Sequence, residues 1–148
     1  MAACTFFGHR DCPAAVRQRP SAVLTSLIEE KAVDRFYVGN QRAFDTLVCA
    51  VLRELAAAYP HIRYDVVLAY IPQSHTSLQD PTLLPEGIEA VPGRYAISWR
   101  NRWMLEHTEY VVAYVAHAWG GAARFTALAA RQGKIVYQLC PPRSCASI

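Results

Sequence analysis

A chain of 148 residues with 53% apolar content and a formal charge of +3 is long enough to fold as one domain, burying about two-thirds of the surface its unfolded form exposes. Its apolar residues are interrupted every few positions by Arg, Glu, Asp or Pro, so no stretch reaches the roughly 18 residues of a membrane span. The arginines are dispersed, with no basic stripe of the kind that marks a nucleic-acid surface, and the five cysteines form no paired framework.

The amino-terminal run has no basic lead and no small-residue cleavage site, which together with the unpaired thiols points to a cytoplasmic protein with neither membrane nor nucleic acid as partner. In chain order, Cys4–Phe7 reads as a short buried strand, and Ser21–Lys31 as a helix with Val23, Leu24, Leu27 and Ile28 on one face. Arg35–Val38 is a second strand closed by Gly39-Asn40. Phe44, Leu47, Val48, Val51, Leu52 and Leu55 recur at helical spacing until Ala58, where Tyr59-Pro60 ends the helix. Asp65–Ile71 is a third strand stopped by Pro72. Residues 72–93, with Pro72, Pro81, Pro85 and Pro92, form a long loop.

Ile97–Thr108 then reads as a helix, Tyr110–Val115 as the fourth strand, Ala122–Gln132 as a helix stopped by Gly133, and Lys134–Leu139 as the fifth strand. Alternation of this kind predicts an α/β protein, a mainly parallel sheet of about five strands covered by helices on both faces. The domain is expected over residues 1–140, with the Pro-rich segment from 141 to 148, which holds Cys145, as a tail. Cys4 and Cys49 fall in apolar patterns and read as core residues. Cys4, His9 and Cys12 match no common zinc spacing, so no metal is expected.

Two segments carry the chemistry. Thr5-Phe6-Phe7-Gly8-His9-Arg10 and the strand Tyr110–Val115 with its following His117, Trp119, Gly120 and Gly121 each run from an apolar strand through glycine into a polar or helical stretch. Glycine there lets the backbone approach a ligand, and the unpaired amides of a following helix favour an anion such as phosphate. Ligands of open parallel sheets bind beyond the carboxyl ends of the strands where strand order reverses, so neighbouring first and fourth strands would put both segments in one crevice.

Arg10 presents a planar fork for phosphate or carboxylate, unless it pairs with Asp11 or Asp45, and His9 is placed for a ribose hydroxyl or for acid–base work. Gly39 and Asn40 end the second strand as either a binding element or an ordinary turn. Gly120, Gly121 and Ala122 open a helix with residues small enough for backbone contact. Trp119 either stacks on a base or shields the sheet edge. Arg94, Arg100 and Asn101 bracket the start of the helix before the fourth strand.

The series Arg100-Asn101-Arg102-Trp103-Met104, an acidic residue at Glu109, an apolar strand and Gly120-Gly121 resembles the Arg-Lys-x-x-Met, strand, Pro-Gly-Gly-x-Gly-Thr-x-x-Glu series of LOG-type phosphoribohydrolases. Phe7-Gly8-His9-Arg10 and Phe36-Tyr37-Val38-Gly39 resemble the YpsA-like branch of the same SLOG superfamily. The resemblance implies a single-domain, Rossmann-like three-layer sandwich, a nucleotide or nucleotide-derived ligand with no required cofactor, and a tendency to form homodimers. It also implies that Arg100 occupies the position of the LOG catalytic arginine, which makes Arg100 a candidate catalytic residue beside His9, the candidate on acid–base chemistry. The LOG glutamate falls on Ala127, and the Gly-Thr pair on Ala123 and Arg124. An alanine has no carboxylate to stabilise the cationic ribose of glycosidic cleavage. The expected function is therefore binding of a nucleoside monophosphate or an ADP-ribose- or NAD-like molecule without turnover. The alternatives are a 5′-monophosphate phosphoribohydrolase using His9, Asp45 or a loop carboxylate such as Glu86 or Glu89, and a regulatory or assembly protein with a vestigial pocket.

Overall fold

The computed structural model describes residues 2–8, 18–40, 43–70, 80–115 and 118–139. Six strands and four helices follow one another as β1 (Ala2–Gly8), α1 (Gln18–Glu30), β2 (Val33–Val38), α2 (Ala43–Ala58), β3 (Arg63–Val67), β4 (Thr82–Leu83), α3 (Ala96–Glu106), β5 (Tyr110–Tyr114), α4 (Gly121–Arg131) and β6 (Ile135–Gln138). The strands form one sheet in the order β4-β3-β2-β1-β5-β6, and every neighbouring pair is parallel.

Strand periodicity divides the core into two layers. Because successive side chains of a strand point to opposite faces, Cys4 and Phe6 of β1 and Phe36 and Val38 of β2 meet Leu24 and Leu27 of α1 and Phe44, Val48 and Leu52 of α2. The next residue of β1, Phe7, faces the other way and joins Val111 and Ala113 of β5, Met104 and Leu105 of α3, and Phe125 and Ala129 of α4. The sheet is thus sandwiched between α1 and α2 on one face and α3 and α4 on the other, the three-layer arrangement expected from the alternation.

The sheet has six strands where about five were expected, because β4 lies inside the stretch read as a loop. Two residues are too short to show a period. Pro81 removes a donor next to them, which only an edge position tolerates. Carbonyls still complete the ladder, with the Val66 amide donating to Pro81 O at 2.8 Å and the Leu68 amide to Leu83 O at 2.8 Å. The same stretch contains two short 3-10 turns, Ile88–Ala90 and Gly93–Tyr95, the second leading directly into α3. The third strand also ends earlier than its apolar run. Leu68 and Ala69 are buried past the end of β3, Ala69 in a small cluster with Ile88 and Ala96.

Candidate functional site

β1 occupies the middle of the sheet, with β2 on one side and β5 on the other. The chain moves outward from β1 through β2, β3 and β4, then returns to β1's opposite flank, so the order reverses between β1 and β5. Gly8, the last residue of β1, lies in register with Tyr114, the last of β5. At this switch point a cavity of about 180 Å³ opens between Gly8, Gly39, Asp45 of α2, Arg100 and Asn101 of α3, and Gly121 and Ala122 of α4.

Arg100 sits in the second turn of α3, yet it is only 2% exposed. Its Nε donates to Asn101 Oδ1 at 2.9 Å and its Nη1 to the carbonyl of Val67, the last residue of β3, at 3.0 Å. Two of the five guanidinium donors therefore fix its plane against the sheet. Asp45, in the first turn of α2, is also buried and lines the same cavity. A side chain added at Gly39 would stand 3.1 Å from Arg100 Cζ and 3.1 Å from Asp45 Oδ2, so both charged groups crowd the Gly39 backbone. Opposite charges placed together at one wall offset part of the desolvation that each suffers alone.

On the far wall, Gly120 precedes α4 with φ +97°, a conformation that favours glycine. The first intrahelical bond runs from the Arg124 amide to Gly120 O at 3.0 Å, so the amides of Gly121 and Ala122 belong to the first turn, whose donors have no partner within the helix. Both residues line the cavity. Arg124 lines it too, donating from Nη2 to Ser98 Oγ at 3.0 Å. The cavity thus has a buried, oriented guanidinium, a second guanidinium in its wall and a helix amino end, the ingredients of an anion site.

Of the residues singled out in the sequence, Gly8, Gly39, Arg100, Asn101, Gly121 and Ala122 come together here. Gly120 is the cap behind them. Asn40 lines an adjoining groove instead, which Gly39 and Asp45 share. Arg94 is exposed in the turn before α3, with its guanidinium carbon 4.9 Å from the Tyr95 ring centroid, and is not in the cavity wall. Trp119 is 71% exposed and likewise outside it. His9, Arg10, Cys12, His117 and Cys140 lie outside the described residues. Ala127 is exposed on α4 and does not line the cavity. Cys4 and Cys49 are buried free thiols, and no group of His, Cys, Asp or Glu suited to a metal occurs among the described residues. Among them, too, no helix is long and apolar enough to cross a membrane.

Ser98 and Arg124 were not legible as site residues, although their signal was available. Residues three and four apart share a helix face, so Gly121 at the cavity brings Arg124 and Phe125 with it. Asp45 was named in the sequence as a partner for Arg10 or a hydrolase carboxylate, and it lines the same cavity as Arg100.

The fold and the crevice define a Rossmann-like α/β protein with a polar cavity at its switch point. No known family's sequence profile matches the chain, and no curated protein matches it. Its fold is similar to the X-ray structure of DNA processing protein A (DprA) from Streptococcus pneumoniae, with a TM-score of 0.68 at 16% sequence identity. The match covers 93% of this chain and 50% of the DprA chain, so the chain spans about half the length of that protein.

Proposed function

We propose that this chain is a SLOG-type protein that holds a nucleotide or nucleotide-derived ligand in the switch-point cavity, with its phosphate between Arg100 and the amino end of α4, and does not turn it over. The observation that carries this reading is Arg100: a buried arginine fixed to Val67 O and Asn101 in the wall of a cavity that also meets a helix amino end. The DprA-like fold supports the superfamily, and the Phe7-Gly8-His9-Arg10 and Phe36–Gly39 segments support its YpsA-like branch. Free, buried Cys4 and Cys49 support a reducing, cytoplasmic home. Absence of turnover is supported by α4, which carries Ala127 where the LOG series has its glutamate.

The reading is tested by thermal shift and calorimetry with nucleoside monophosphates, ADP-ribose and NAD. A ligand at about 100 times its Kd adds about 2.7 kcal/mol to stability, which raises the Tm of a domain this size by roughly 5–10 °C. Arg100→Ala is expected to abolish the shift. A flat panel with folded protein counts against the proposal. Single-stranded DNA serves as the control arm, because the only similarity to a DNA processing protein is in fold and the arginines are dispersed.

One observation favours a hydrolase as the second reading. Asp45 puts a buried carboxylate in the same cavity as Arg100, where it can stabilise a cationic ribose. Release of free adenine from AMP, lost in Asp45→Asn, would establish that activity in place of simple binding.

A further inference from the structure

The groove that adjoins the cavity at Gly39 and Asp45 differs from it in charge. It has a volume of about 140 Å³ and is lined on its far side by Thr46, Cys49, Arg53 and Asp80. Asp80 lies in the stretch read as a loop, directly before β4. Its Oδ1 accepts from Arg53 Nε at 2.8 Å and from the Tyr64 hydroxyl at 2.7 Å. The one cation of the groove's described wall is thereby matched by a carboxylate, and Asp45 adds a second carboxylate from the shared wall. Carboxylates only accept hydrogen bonds, so the groove suits hydroxyl or amino donors and gives no net attraction to a second phosphate.

The first cavity alone, at about 180 Å³, is below the roughly 300–1,000 Å³ of small-molecule sites, and the two volumes together just reach that range. Gly39 lines both and places no side chain between them. We infer that the site has two compartments: the α4 side takes the single phosphate of a nucleoside monophosphate, and the α2–β4 groove takes its sugar or base end, selected through donors facing Asp80. This rests on the nucleotide reading above. It deepens that reading by assigning the ligand's polarity and by giving Asp80 a role in specificity.

Thr46 is exposed on α2 at the edge of the groove, so Thr46→Trp fills the groove without touching the core. Measured by calorimetry, the AMP Kd is expected to rise about tenfold or more in Thr46→Trp, and similarly in Asp80→Asn, which replaces an acceptor oxygen with a donor. Circular dichroism confirms the fold of each variant, and Thr46→Trp decides the matter if Asp80→Asn loosens β4. An AMP Kd within twofold of wild type in folded Thr46→Trp overturns the second compartment and leaves the nucleotide reading intact. Failure of folded wild-type protein to bind AMP overturns the monophosphate assignment, and failure across AMP, ADP-ribose and NAD overturns the nucleotide reading itself, so the failures are distinguishable.

Discussion

A methyl group added at Gly8 would stand 2.2 Å from Cδ2 of Phe44 and 2.5 Å from its Cβ. Phe44 is fully buried against the sheet and stacks beside Tyr114 at 6.3 Å between ring centroids, so it has nowhere to swing. Gly8 is therefore required by packing between β1 and α2, whatever else it does for a ligand. Gly8→Ala should destabilise the protein by about 1–3 kcal/mol or more through overpacking, read as a lower urea midpoint. The glycine itself was legible in the sequence, but its reason was not, because the clash comes from a residue 36 positions away on another element. At Gly39 the position was reversed. It read as an even choice between turn and site, and only the packed structure sets its backbone against Arg100 and Asp45.

At the scale of elements, the helices and the longer strands were legible because period and punctuation agree over several turns or residues. α3 was expected over Ile97–Thr108 and spans Ala96–Glu106, with Thr108 closing it by donating from Oγ1 to Met104 O at 2.8 Å. The burial of Arg100 was not legible, since an arginine on an amphipathic helix usually ends in solvent and its partner, Val67 O, is 33 residues away. β4 was hidden for the same kind of reason. Its ladder is two residues long, and it is held by the side chain of Asp80 as well as by backbone bonds. Burial raises the Asp80 carboxyl, but the hydrogen bonds from Arg53 and Tyr64 outweigh that and leave it below its ordinary value. A lowered carboxyl stabilises the fold above the unfolded value of about 4 and loses that contribution as the pH falls through the folded value. The Arg53 side chain is 43% exposed, so water screens its contribution, and the part-buried Tyr64 bond adds to it. Asp80→Asn should therefore cost about 1 kcal/mol locally. It is read as a several-fold loss of hydrogen-exchange protection at the Val66 and Leu68 amides, which bond to Pro81 and Leu83, with little change at β1 and β5. Unchanged protection at those two amides would show that backbone pairing alone holds β4.

For the whole molecule, the decisive fact is that β1 is central. Alternation of Phe6 and Phe7 assigned the two faces, and the reversal between β1 and β5 brings distant segments to one crevice, an outcome the sequence implied only on condition that those strands paired. The two free thiols among the described residues report on this order. Cys4 lies inside β1 with no exposure, paired on one side with Phe36 of β2 and on the other with Tyr110 of β5. Burial pushes its thiol well above the usual range, only partly offset by a hydrogen bond with the Val112 backbone. Cys49 is raised to about 12, first by burial and then by the nearby Asp80 and Asp45 carboxylates. A raised thiol favours the folded state fully below the unfolded value of about 8.5, and that advantage is lost as the pH climbs toward the folded value. Since the thiolate is the nucleophile, both residues should resist iodoacetamide at pH 8 in native buffer, as followed by peptide mass mapping. Cys4 can be reached only when the sheet comes apart. Its labelling should be slowed at least about 1,000-fold relative to the unfolded chain, as expected for stability of 5 kcal/mol or more, and should accelerate with urea at the slope of global unfolding. Rapid native labelling of Cys4 would mean that β1 is not enclosed by β2 and β5, and the switch-point crevice would lose its foundation with it.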